Sequence, residues 1–200
     1  MNHFNLMQFF EGYVRNYRRL NLSVNHNVSM FTNREIDYFA SLGEMLGYEV
    51  FIEDRKMDYA MGRSRPMDLS WWKWDKRVSE VEYVSLDLHL ERESQWGKDV
   101  ETIEKLFSET DEGCLPKHVI GIQYIESQER MEFLNKLVVE KNRLQQSHVL
   151  MVYRYEDPGT GMQKVSACWF TPDGKREERH AFCKVDESGY WFMCFEEEIN

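Results

Sequence analysis

Residues 83–93 alternate in character: Val84, Leu86, Leu88 and Leu90 take one set of positions, and Ser85, Asp87, His89, Glu91 and Glu93 the other. A period of two predicts a strand with one core face and one polar face. Residues 67–74 read as a preceding strand, and the turn falls within 75–80, so the two form a hairpin. A turn centred near Ser79 and Glu80 sets Asp68 opposite Glu91. Apolar residues at helical spacing mark 6–20, through Phe9, Phe10, Tyr13, Val14 and Tyr17. A second helix follows the capping-box sequence Thr32-Asn-Arg-Glu35 and stops at Gly47. Helices are also predicted around Val100, Ile103 and Leu106 and over 127–144; strands are predicted over 48–52, 117–125 and 149–155.

Strands and helices thus alternate through the middle of the chain, the pattern of an α/β fold. The tail differs. Residues 164–170, 176–185 and 190–195 are three strands joined by the turn sequences Thr171-Pro-Asp-Gly174 and Asp186-Glu-Ser-Gly189, a β-meander that extends the core sheet or packs beside it. The expectation is a single domain over 1–200: an N-terminal helix at 6–20, a core of about 32–155 with a mixed central sheet flanked by helices, and a C-terminal antiparallel extension over 160–200.

Composition narrows the class. With 42% hydrophobic and 14% aromatic residues, the chain has enough apolar surface for a packed core. No apolar run approaches the roughly 20 residues of a membrane-spanning helix, and the N-terminus has no basic segment leading into an apolar run. The expectation is a soluble, cytoplasmic protein with no membrane partner. Cys114, Cys168, Cys183 and Cys194 form no CxxC pair, so free thiols are expected rather than a zinc knuckle or disulfide framework. The net charge is −10, against the basic footprint of most nucleic-acid binders. Residues 55–77 run the other way, with seven basic residues against three acidic ones.

The polar face of the 83–93 strand stacks carboxylates about 7 Å apart, and like charges so placed call for a positive partner. A divalent cation is the simplest one. Order and motif together point to a family: Pro66-Met-Asp68 on one strand, Glu91-Arg-Glu93 on the next, then a helix containing Glu101-Thr-Ile-Glu-Lys-Leu106 and the strand Lys117-His-Val-Ile-Gly-Ile-Gln-Tyr124. Over 32–155 this resembles the restriction-endonuclease-like, or PD-(D/E)XK, nuclease superfamily. The resemblance implies a restriction-endonuclease-like core and a Mg²⁺- or Mn²⁺-dependent nuclease that hydrolyses phosphodiester bonds. It implies Asp68 and Glu91 as metal ligands, Glu93 in a water-orienting or second-ligand role, and Glu35 as an outer ligand. Two departures stand out. Met67 separates Pro66 from Asp68, and Glu93 replaces the usual Lys, as it does in some active members and in degenerate inactive ones.

Alternatives remain open at this stage. Asp87-Leu-His89 offers a second register, with His89 in the place of the Lys. The row of acids also fits the solvated face of an antiparallel sheet, and the capping box by itself accounts for Glu35. Arg63, Arg65, Lys73 and Trp72 are the candidate nucleic-acid contacts, DNA ahead of RNA. The competing functions are a nuclease-fold interaction protein without cleavage and a nucleic-acid-binding module. Oligomeric state is open.

Overall fold

The computed structural model describes residues 4–58, 62–79, 83–110 and 113–199, with backbone only at 57, 58 and 63. Helix α1 (Leu6–Asn16) starts where the Asn5 side chain accepts from the backbone N–H groups of Met7 and Gln8, and a 3₁₀ turn (Tyr17–Leu20) continues it. Helix α2 (Val28–Met45) begins earlier than the capping-box sequence implies. Asn27 caps it through the Met30 N–H, and Thr32 lies inside the helix with its hydroxyl on the Val28 carbonyl. Glu35 is therefore an interior helical residue with no capping duty, and it is fully buried.

Strands β1 (Glu49–Asp54), β2 (Met57–Asp58), β3 (Arg63–Ser64), β4 (Met67–Lys73) and β5 (Ser85–Glu93) lead to helix α3 (Asp99–Leu106). After it come β6 (His118–Tyr124), α4 (Gln128–Gln145), β7 (His148–Glu156), β8 (Gln163–Phe170), β9 (Arg176–Val185) and β10 (Trp191–Phe195). Eight strands form one mixed sheet in the order β1-β4-β5-β6-β7-β8-β9-β10, while β2 and β3 pair with each other. Pairing is parallel along β5-β6-β7, where α3 and α4 make the crossovers, and antiparallel elsewhere. The C-terminal meander extends the core sheet through β8, as the turn sequences allow.

The sheet divides two cores. On one face α1 and α2 bury Phe10, Tyr13, Val14 and Phe39 against Leu69, Trp71, Leu90, Ile122 and Val152. On the other, α3 and α4 bury Ile103, Leu106, Met131 and Leu134 against Val119, Val149, Met151 and Tyr153. Apolar residues on both sides are why β6 and β7 read as nearly continuous hydrophobic runs.

The β4–β5 hairpin has Leu69 opposite Leu90 and Ser70 opposite His89, the register that a turn near Ser79 and Glu80 predicts; Glu80 itself lies outside the described residues. Farther along, Trp71 pairs with Leu88 but Trp72 with Leu86, so Asp87 is the extra residue of a β-bulge. The bulge corrects the simple alternation: Leu86 leaves the row of Leu88 and Leu90 and clusters with Met67 and Trp72.

Helix α2 seats closely on Trp71 through Gly43. A Cβ there would lie 2.6 Å from the Trp71 indole and 2.8 Å from Val50. Gly43→Ala adds about 1 kcal/mol of helix propensity, but overpacking a fully buried ring costs about 1–3 kcal/mol. The expected net effect is destabilisation, read as a lower urea midpoint with unchanged slope; a raised midpoint would contradict the close seating.

Candidate active site

Asp68 and Glu91 meet where the β4–β5 register carries on beyond Leu69 and Leu90. The Asp68 backbone N–H donates to Glu91 Oε1 at 3.4 Å, and the Arg92 N–H donates to Asp68 Oδ2 at 2.7 Å. Each carboxylate is thus held by the neighbouring strand. Lys105, on the last turn of α3, stands against both: its Nζ is 2.5 Å from Glu91 Oε2 and 3.6 Å from Asp68 Oδ1. Sequence reading missed this residue, although it lies in the quoted 101–106 segment, because which helical face meets the strand is a packing outcome.

Lys56 was missed as well. It is buried, donates to the Lys105 carbonyl at 2.8 Å, and has its pKa pushed down to about 8 by burial, with Lys105 and Arg65 adding to the fall. His89, fully buried, touches Glu91 Oε1 through Nε2 at 2.7 Å. Burial and the charges of Lys56 and Lys105 hold its pKa well below the usual imidazole value, so the ring is neutral and donates to Glu91. Burial lifts Glu91 to about 7 despite Lys105, and burial together with the charge of Glu91 lifts Asp68 to about 6. Both carboxyls thus titrate above the usual carboxylate range.

The site opens into a cavity of about 250 Å³. Arg65, Arg92, Lys98 and Lys105 line it beside Asp68, Glu91, Glu93 and Glu101, so its wall is charged but balanced. Glu93 belongs to this wall, and its Oε1 accepts the Gln95 N–H at 2.7 Å. Arg65 is anchored by donating to the Glu101 carbonyl.

Other predicted residues lie elsewhere. Glu35 sits on the opposite face of the sheet, where Arg92 Nε reaches its Oε2 at 2.7 Å and Arg154 Nη2 its Oε1 at 2.5 Å, with the hydroxyls of Tyr13 and Tyr17 adding bonds at 2.6 and 3.2 Å. Burial alone would raise its pKa, but Arg154 and Arg92 hold it below the ordinary value. Its carboxylate is committed to that network, which corrects the expectation of an outer metal ligand. The bulge splits the alternative register: Asp87 accepts from Lys117 and Ser85 at 2.6 and 2.5 Å, apart from the His89–Glu91 contact. Trp72 is buried and donates to Asp54 at 2.7 Å, so it is no exposed stacking platform. Lys73 is exposed at the far end of β4, and the Arg63 side chain lies outside the described residues.

Among the described residues no three His, Cys, Asp or Glu side chains gather as a ready metal cluster, and no helix is long and apolar enough to cross a membrane. No protein-family model and no curated protein matches the chain. Among solved structures, the central domain of yeast acetyl-CoA carboxylase is similar at 10% identity and a TM-score of 0.42, over 80% of this chain and 26% of that one. The chain thus spans about a quarter of that structure, a likeness too distant to bear on function.

Two outcomes follow. Asp68 and Glu91 retain protons in the folded state that the unfolded chain releases near pH 4. Their contribution to stability is therefore present below about pH 4 and is lost as pH rises through about 6 to 7. Glu91→Gln should flatten the fall in urea midpoint between pH 5 and 8; identical slopes in both proteins would refute the assignment. Glu35→Gln leaves two buried guanidiniums without a carboxylate and should cost about 3–5 kcal/mol, measured by chemical unfolding at pH 7.

Proposed function

We propose that the Asp68–Glu91–Lys105 site hydrolyses phosphodiester bonds of nucleic acid with the help of a bound Mg²⁺ or Mn²⁺ ion. The observation that carries this reading is the meeting of two carboxylates of raised pKa with a lysine at the C-terminal end of β5, beside a charged cleft. Ligand sites of α/β sheets favour such strand ends. Further support comes from element order: α2, β1, β4, β5, α3 and β6, with three antiparallel strands followed by a parallel crossover, run in the sequence that the PD-(D/E)XK resemblance implies.

The donor set fits a hard cation. Mg²⁺ takes one or two protein carboxylates and keeps its remaining positions for water and phosphate oxygens, so it needs no three-residue cluster. Asp68 and Glu91 would hold it, the ion offsetting their buried negative charge and displacing the protons that burial favours. When bound, such an ion lowers the pKa of water and offsets charge developing on phosphate. Lys105 supplies the ammonium that Glu93 takes from the motif, arriving from α3 rather than from β5. Neutral His89 donates to Glu91 and fixes its orientation. Arg65 and Lys98, on the cavity wall, are placed to meet a phosphate backbone.

A second reading is a nuclease-like scaffold without cleavage. Lys105 at 2.5 Å already compensates Glu91, and the motif lysine position holds Glu93, which favours an interaction protein.

The test is hydrolysis of single- and double-stranded DNA and RNA with Mg²⁺ or Mn²⁺, alongside calorimetric titration of the ions. The active reading expects metal-dependent cleavage, lost by at least about a hundredfold in Glu91→Gln and reduced in Lys105→Met. Ion affinity should rise between pH 5.5 and 8 as Glu91 deprotonates. Absence of both cleavage and ion binding in the wild type would leave the scaffold reading.

A further inference from the structure

We propose that the Lys105 ammonium is the resident counter-ion of the site, standing where a divalent cation would bind, and that an arriving Mg²⁺ or Mn²⁺ ion expels it into the cavity. This rests on the metal-dependent reading of Asp68 and Glu91 and states how that site is regulated.

Each carboxylate has one oxygen committed to protein donors. Glu91 Oε1 accepts from His89 Nε2 at 2.7 Å and from the Asp68 N–H at 3.4 Å, while Asp68 Oδ2 accepts from the Arg92 N–H at 2.7 Å. Those bonds leave Glu91 Oε2 and Asp68 Oδ1. Both face a single cation, Lys105 Nζ, at 2.5 and 3.6 Å. A hard ion held by this pair would draw on the same two oxygens, so ion and ammonium compete for one place. A double charge beside a single one in a partly buried setting is repulsive, and the ion enters as the ammonium leaves.

The lysine can leave without disturbing its helix. Lys56 Nζ and Ser108 Oγ donate to the Lys105 carbonyl at 2.8 and 2.9 Å, which fixes the main chain at the end of α3. The ammonium is a compact charge on a flexible stem. Access is open as well, because the Lys105 and Asp68 side chains are 17% and 28% exposed and both line the cavity. Without an ion, Lys105 keeps two buried carboxylates from standing uncompensated; with one bound, that duty passes to the metal. Arg65 and Lys98 already stand on the cavity wall, and the released ammonium joins them as a third cation for a phosphate. One side chain thus serves the empty site as its counter-ion and the loaded site as a phosphate contact.

The test is calorimetric titration of Mg²⁺ and Mn²⁺ into the full chain and into Lys105→Met at pH 8, together with lysine acetylation of the wild type followed residue by residue in a mass spectrometer. Lys105→Met should bind either ion at least about tenfold tighter than the wild type, since the competing charge is gone. Acetic anhydride should modify Lys105 several-fold faster in Mg²⁺ than in EDTA at matched ionic strength, with Lys136, exposed on α4, as the unchanged reference. The labelling needs no variant, so it decides the matter if Lys105→Met does not fold. Equal or weaker ion binding by a folded Lys105→Met, or modification of Lys105 indifferent to Mg²⁺, would each overturn the proposal. The two readings fail separately. Ion-driven release of Lys105 without cleavage removes only the hydrolase, and metal-dependent cleavage with no gain in ion affinity in Lys105→Met removes only the exchange.

Discussion

Arg92 joins the two faces of the sheet, and much of the architecture depends on that junction. Its main-chain N–H holds Asp68 beside Glu91, while its guanidinium holds Glu35 of α2. A buried guanidinium is tolerable only when paired, and a buried carboxylate likewise, so neither partner can drift without a large desolvation cost. The seat of α2 and the position of the β4 carboxylate are thereby coupled through one residue of β5. Arg154 of β7 extends the same network across the sheet to Tyr13 and Tyr17.

The opposite face solves a different electrostatic problem. Asp68 and Glu91 face the same lysine, and burial raises the pKa of each, with the charge of Glu91 adding to the rise at Asp68. Lys105 and Lys56 bring positive charge to them, but Lys56 is itself strained by burial and has its pKa lowered. His89 contributes a neutral donor. The cluster is thus held with several groups titrating near neutrality, a condition more typical of sites that exchange protons or ions than of ordinary surface ion pairs. It lies at the strand ends, beside the cavity.

Bulging at Asp87 lets both faces coexist on a single strand. Without it, Asp87 would join the row of His89 and Glu91 and add a further negative charge to that face. With it, Asp87 turns to Lys117, and Leu86 fills the space beside Trp72 and Met67. The extra residue removes a charge and supplies a packing group in one step.

The alternation of 88–93, the hairpin register near Ser79, the helices between the parallel strands and the turn sequences of the meander were legible in the chain, because periodicity and turn chemistry are local properties. The facing of Asp68 and Glu91 followed from that register. Other features were not legible. Thr32-Asn-Arg-Glu35 looked like a cap, but Asn27 starts the helix, and only the packing of α1, α2, β5 and β7 around Glu35 made it the centre of a buried network. Lys105 reaches the acidic pair from α3, Lys56 comes from a loop to the Lys105 carbonyl, and Trp72 was turned inward to Asp54 by the sheet. Sequence determines which residues can share a face of one element. Which face meets which partner is set by burying apolar area and pairing charge across the whole fold, a sum over distant contacts that no local pattern contains.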